Sequence, residues 1–285
     1  TSDPKCLVFE SVYSMDGDIA PLPAMAELAA DHDTWLMADD AHGFGVLGAN
    51  GAGSAEHFKL DQQQLPILMG TLGKAIGSFG GALASLPATQ LGATVIADLL
   101  AHTGVAPDQV DEVLLGQVLA AGCGQNPARQ AAFLGGLPAA VPAMTINRFC
   151  SSGLQAIAQG AATIEAGWAD VVLAGGMESM TNAPYILEKA RSGYRMGHGA
   201  IKDHMFFDGL EDAETGRLMG SFAQDVADKN SLSREDMDNF AIESLARANK
   251  AIADGAFEDE TVAVTVKTRK GETVVSVDEQ PGNAR

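Results

Sequence analysis

Thr71-Leu-Gly-Lys-Ala-Ile-Gly-Ser-Phe-Gly-Gly81 (TLGKAIGSFGG) places one lysine between a short apolar run and a glycine-rich turn. A phosphate-binding P-loop would need glycine six positions before that lysine and a hydroxyl residue directly after it. Leu68 and Ala75 stand at those positions, which excludes the P-loop. Standing alone, Lys74 would be a solvated surface residue; its surroundings decide otherwise. On both sides of it the chain alternates short apolar runs with amphipathic segments, the pattern of an α/β fold.

Upstream, LVFESVY (7–13), TWLMA (34–38) and LPILMG (65–70) read as buried strands, with a helix predicted over 21–32 and a polar stretch over 57–64. Downstream, helices are expected over 91–102, 127–134 and 151–167, and strands over 110–118, 141–146 and 170–174. Periodicity lapses from 181 to 212, a long loop excursion, and helices resume over 219–229 and 233–254. The tail 261–278 alternates like a hairpin around Lys270-Gly271.

With 285 residues, 46% of them hydrophobic, the chain has material for one large α/β unit or two smaller ones, and 32 glycines suit many tight turns. A formal charge of −19 without any lysine- or arginine-rich block argues against binding nucleic acid and suits a soluble surface. Cys6, Cys123 and Cys150 lie far apart with no CxxC pair, which argues against a disulfide framework or a cysteine-rich metal site. No apolar run reaches the length of a membrane span and no signal peptide opens the chain, so a reducing cytoplasm is the expected setting.

Polar residues at the carboxyl ends of buried strands are where α/β folds carry chemistry. Ser14, Asp39, His42, Thr71 and Lys74 all follow strands. A lysine amine for a Schiff base, a carboxylate to keep a pyridine nitrogen protonated and hydroxyls for a phosphate are what pyridoxal 5'-phosphate asks for. FESVYSMDGDIAPL, WLMADDAHGFGVLG and GTLGKAIGSFG, in that order and spacing, resemble the α-oxoamine synthases of the 8-amino-7-oxononanoate synthase type, over about residues 6–84. The resemblance implies part of an aspartate-aminotransferase-like cofactor domain. In it Lys74 would carry the pyridoxal aldehyde, Asp39 pair with the ring nitrogen, His42 bond the ring oxygen, Ser14 line the ring and Thr71 the phosphate. It also implies condensation of an amino acid with an acyl-CoA. The stretch lacks the family's residue that stacks on the ring and its C-terminal domain, so weak retention of the cofactor is expected.

Cysteine is usually a small buried hydrophobe, the reading kept for Cys6 and Cys123. Cys150 differs, because it follows the strand VPAMTI through Asn147-Arg-Phe149 and leads straight into SSGLQAIAQGAATIEAG. A thiol there meets the positive end of the helix dipole and its unpaired first N–H groups, which favour the thiolate. GQVLAAGCGQNPARQAAFLGGLP, PAMTINRFCSSGLQAIAQGA and DVVLAGGMESMTNAPY resemble the thiolases, the acetyl-CoA acetyltransferases, and the likeness runs from about residue 75 to 285. It implies the N-terminal half of the thiolase fold, with Cys150 the nucleophile that an acyl-CoA acylates and its backbone N–H part of an oxyanion hole. The excursion at about 181–212 would cover coenzyme A and help build a tetramer, and Met219 would line the pantetheine. Leu218 stands where many biosynthetic thiolases carry histidine, which bears on substrate preference. The thiolase half with the activating histidine and the second cysteine has no counterpart, since after residue 90 the only histidines are His102, His198 and His204.

AIGSFGGALA (75–84) continues the lysine turn of one family and opens the other. The chain therefore reads as two partial enzymes spliced at a shared word, a pyridoxal-phosphate segment over 1–80 and a thiolase N-terminal half over 81–285. Thiolase-type acetyl transfer ranks first, with turnover reduced because a catalytic set acts as a unit. The pyridoxal-phosphate synthase comes second and a non-catalytic fragment third. Faces that a missing half would cover are expected to drive self-association or a homo-oligomer.

Overall fold

The computed structural model describes residues 5–11, 18–40, 47–49, 53–61, 63–65, 67–69, 86–258, 260–268, 271–278 and 280–283. The chain divides into two units, one of Thr1–Gly81, Phe222–Thr261 and Val275–Arg285, the other of Ala82–Ser221 and Val262–Val274.

In the first unit β1 (Lys5–Glu10), α1 (Leu22–Asp31), β2 (Thr34–Asp39), α2 (Ser54–Phe58) and β3 (Ile67–Met69) build a parallel sheet in the order β1-β2-β3. Pro23 sits in the first turn of α1, where its missing N–H costs nothing. Leu22, Ala26 and Ala29 recur at helical spacing and are buried with Phe9, Leu36 and Ala38, so one face of α1 meets one face of the sheet. Residues 57 and 58 of the expected polar stretch belong instead to α2, which ends on Lys59 in the left-handed conformation at φ 57°. Five residues are too few for periodicity to show such a helix.

The second unit is a βα-layered sheet. α3 (Ala88–Thr103) ends at Gly104, whose φ of 69° lets it cap the helix with an N–H bond to Leu100 O at 3.0 Å. β4 (Glu112–Gly116), α4 (Pro127–Leu134), β5 (Ala143–Ile146), α5 (Ser152–Glu165) and β6 (Val172–Gly176) follow, with parallel strands in the order β5-β4-β6. Val113, Leu114 and Leu115 of central β4 are all buried, as expected of a parallel strand covered on both faces. Val113 and Leu115 share a core with Ile96 of α3 and Ala128, Ala131 and Ala132 of α4. The opposite face of the sheet carries α5, whose Gly160 lies against Val172 and Ala174 of β6.

The aperiodic excursion contains an antiparallel two-residue ladder between β7 (Tyr185–Ile186) and β8 (Lys202–Asp203). Beyond it α6 (Met219–Lys229) and α7 (Arg234–Ala253) lie where helices were predicted. α7 opens on a capping box in which Ser233 Oγ accepts the Asp236 N–H and Asp236 accepts the Ser233 N–H at 3.0 Å. β9 (Val264–Thr268) and β10 (Gly271–Val275) are neighbours in a two-stranded sheet across the expected hairpin, and α8 (Gln280–Asn283) packs on α7. No helix among the described residues is long and apolar enough to cross a membrane.

Candidate functional site

Parallel strands deliver their connections to one edge, and at the carboxyl edge of the second sheet two strands end in glycine. Gly116 of β4 faces Gly176 of β6 in the ladder. A Cβ on Gly116 would lie 2.5 Å from the Ser152 carbonyl carbon and 2.7 Å from the Gly153 nitrogen. The first turn of α5 therefore rests directly on the sheet, and only glycine allows that approach.

Between β5 and α5 run Asn147, Arg148, Phe149, Cys150 and Ser151. Phe149 is held at φ 50°, a left-handed conformation that strains a bulky residue and persists only when its neighbours enforce it. They do so from both sides. Asn147 Oδ1 accepts the Phe149 N–H at 3.0 Å. Buried Ser152 donates its hydroxyl to Phe149 O at 2.6 Å, accepts the Arg148 N–H at 2.8 Å and donates its own N–H to Phe149 O at 3.0 Å. The chain reversal leaves Cys150 exposed, directly before the Ser151 cap of α5. Ser151 makes no side-chain cap bond, so it leaves the helix's first N–H groups to other partners.

The loop after β4 meets this turn where Asn147 Nδ2 donates to Val118 O at 3.5 Å. Glu178, just beyond β6, accepts the Val118 N–H at 2.8 Å and the Leu119 N–H at 3.2 Å. Burial pushes its carboxyl up, against the pull of those two N–H groups and of His204. His204 is itself buried, 5% exposed. Its Nδ1 lies 2.5 Å from Asp208 Oδ2, and the Ala121 N–H points at its Nε2 at 3.4 Å. The excursion is thus joined to the β4 loop through the His204 imidazole, while Glu178 holds the same loop from the end of β6. Gln117, 2% exposed, donates to Leu119 O and to Cys123 Sγ, which places half-buried Cys123 in a structural role.

Met219 opens α6, half exposed, after a turn closed by Asp212, whose carboxylate accepts the Thr215 hydroxyl and N–H. Those two bonds hold the Asp212 carboxyl below its usual range. The structure places Cys150 in one turn with Asn147 and Ser152, and Met219 at the first position of α6 after the excursion. On the first sheet, Asp39 ends β2 level with Glu10 of β1 and Met69 of β3, so three strand ends share one edge. Lys74, His42, Ser14, Thr71 and the glycine turn lie outside the described residues, as does the side chain of Asp39. Next to it, Asp40 is fully buried, accepting the Ser11 hydroxyl and, at 2.7 Å, the Ser54 N–H. Burial raises its carboxyl, with both donors opposing. Sequence reading did not single out Asp40, Glu178 or Asn147.

An exposed cysteine ahead of a helix, at the carboxyl edge of a parallel sheet, is placed as a nucleophile would be. The family model described as thiolase, N-terminal domain, matches residues 67–284, and the chain belongs to that family. A second family model, aminotransferase class I and II, matches residues 1–119. The acetyl-CoA acetyltransferase of Pseudomonas aeruginosa is 52% identical over 208 residues, 73% of this chain and 53% of that protein. That of Cupriavidus necator is 50% identical over 200 residues, 70% of this chain and 51% of that protein. The crystal structure of the Bacillus anthracis acetyl-CoA acetyltransferase superposes with a TM-score of 0.69 at 40% identity, covering 72% of this chain and 52% of that one. The chain spans about half the length of the relatives it matches.

Proposed function

We propose that this chain is an acyl-CoA C-acetyltransferase of the thiolase type, with Cys150 as the nucleophile. The supporting observation is the turn at 147–152, which spends a left-handed Phe149 and two clamping side chains on presenting one exposed thiol at the start of α5. In the step assigned to this chain the Cys150 sulfur adds to the thioester carbonyl of an acyl-CoA. A carbon–sulfur bond to Cys150 forms, the bond to the coenzyme A sulfur breaks, and coenzyme A leaves carrying the proton that Cys150 gave up. Met219 lines the pantetheine in this reading, and Leu218 beside it influences which acyl chain is accepted. The relatives' printed names, acetyl-CoA acetyltransferase, support the substrate class. The thiolase portion, residues 81–285 with the excursion at 181–212, needs no cofactor beyond coenzyme A. We expect the chain to self-associate and to work in the cytoplasm.

The test is the half-reaction. Incubated with acetyl-CoA, the protein should gain one acetyl group on the peptide containing Cys150, and Cys150→Ala should gain none. An intact, alkylatable Cys150 that acquires no acetyl group ends this proposal.

A second reading is favoured by the shared strand edge of the first sheet and by the aminotransferase match. In it residues 1–80 hold pyridoxal 5'-phosphate, which when bound supplies an electron sink for a substrate carbanion. Lys74, Asp39, His42, Ser14 and Thr71 would hold it. Borohydride reduction after dialysis should leave little cofactor on the Lys74 peptide, and a stoichiometric adduct there would promote this reading to the first.

A further inference from the structure

We infer that Asn147 is a positioning residue for Cys150, acting through the backbone of Phe149. The inference rests on Cys150 being the nucleophile proposed above. Phe149 cannot remain left-handed at no cost, since a non-glycine residue at φ 50° is held by what bonds its peptide groups. Its carbonyl is bonded by Ser152, the first residue of α5, which belongs to the helix whatever Cys150 does. Its N–H is bonded by Asn147 Oδ1 alone among the hydrogen bonds described, at 3.0 Å. Asn147 closes this turn from the strand side, where it also reaches Val118 O with Nδ2 at 3.5 Å. That contact faces the loop that Glu178 holds through Val118 and Leu119.

Asparagine suits the task because its short carbonyl reaches the N–H two residues on, and no charge is added beside a reacting sulfur. Without that acceptor Phe149 can relax to negative φ, and the Cys150 sulfur shifts relative to the positive end of α5. Asn147 touches no reacting atom in this scheme; it sets where the sulfur sits.

The experiment compares Asn147→Ala and Asn147→Ser with wild type by timed iodoacetamide labelling of the full chain at one pH. Peptide masses follow Cys150 and Cys123 in the same sample. The alanine variant should label Cys150 about fivefold more slowly, the equivalent of one hydrogen bond of about 1 kcal/mol at 1.36 kcal/mol per factor of ten. Cys123 should label at the wild-type rate. Serine offers an acceptor at a similar place and should restore Cys150 to within about twofold. An unchanged Cys150 rate in the alanine variant overturns the inference. So does parallel acceleration of Cys123, which signals loosened structure, or a serine variant as slow as alanine. If the alanine variant does not fold, the serine variant decides: a rate within about twofold of wild type supports the inference and a larger fall overturns it. Labelling needs no acetyl-CoA, so a wild type that labels but does not acetylate would remove the proposed function while leaving the role of Asn147 decided.

Discussion

Replacing Gly116 by alanine tests how the turn that presents Cys150 is seated. The added Cβ would meet the Ser152 carbonyl carbon at 2.5 Å, the Gly153 nitrogen at 2.7 Å and Ser152 Cβ at 2.7 Å. Carbon atoms in comfortable contact stay near 3.5–4.0 Å apart, so α5 would have to lift off the sheet by about 1 Å at its first turn. None of the three obstructing atoms is the free end of a flexible side chain. Two are backbone, and the third belongs to Ser152, which is 5% exposed and bonded to Arg148 and Phe149. Overpacking of this kind costs about 1–3 kcal/mol. The melting midpoint should fall by several degrees for a unit of this size.

The same displacement carries Cys150 with it, and a shift of about 1 Å at a reacting centre can cost about a hundredfold in rate. Gly92→Ala is the control. There the new Cβ meets the thioether end of Met177 at 2.8 Å and Ala131 Cβ at 3.3 Å. Met177 can swing aside, and alanine inside α3 gains up to about 1 kcal/mol of helix propensity over glycine. Its midpoint should therefore move much less. Thermal melts followed by circular dichroism, with acetyl-CoA labelling of Cys150 on the same samples, read both effects. If Gly116→Ala melts within about 1 °C of wild type and labels at the wild-type rate, the helix is not seated as argued.

Asp40→Ala should destabilise by about 1–3 kcal/mol, because it strands the Ser11 hydroxyl and the Ser54 N–H in a buried site, while Asp40→Asn keeps an acceptor and should cost less in urea denaturation. Burial raises the Asp40 carboxyl, so the folded chain holds that proton more tightly than the unfolded one; wild-type stability should decline as pH climbs from the usual carboxylate range through the raised value, and Asp40→Asn should flatten that limb. Asp111 behaves in the opposite sense: the N–H groups of Val171 and Asp170 hold its carboxyl low, so its contribution is complete above the usual carboxylate range and is lost as pH falls through the depressed value. Acid titration of the melting midpoint should show wild type losing more below about pH 4 than Asp111→Asn does, and superimposable curves would contradict the assignment.

The parts of the fold that the sequence made legible are those whose cause is local. α4 spans 127–134 as expected because Pro127 fits its first turn and the apolar residues Ala128, Ala131 and Ala132 follow at helical spacing. α6 likewise spans 219–229. Cys150 could be picked out because strand, turn and helix adjoin it in sequence. The bonds that hold the β4 loop could not, because they join distant residues: Glu178 meets Val118 across 60 and His204 meets Ala121 across 83. In the first unit, Asp40 likewise meets Ser11 across 29 residues. In sequence His204 is a residue of an aperiodic loop, and nothing in its neighbours announces that it is buried and bonded at both ring nitrogens. The close packing at Gly116 was equally silent, since a glycine ending an apolar strand reads the same whether solvent or a helix lies beyond it.

The two family matches overlap over residues 67–119, and packing shows how the described part of that overlap is used. Ala88, Gly92 and Ile96 of α3 face the second sheet's core, where Gly92 lies against Ala131 of α4 and Met177 beyond β6. Ser179 and Asn182 both donate to Leu86 O, tying the start of that segment to the loop that holds Glu178. β4, which ends at Gly116, is the central strand between β5 and β6. Residues 86–119 thus find their buried partners among residues that follow them in the chain. A segment's similarity to two families is a statement about residue types, whereas its place in a core depends on volumes that must interlock. For this stretch the interlocking residues are Ala128, Ala131, Leu173 and Met177, all within the thiolase match and beyond the aminotransferase match.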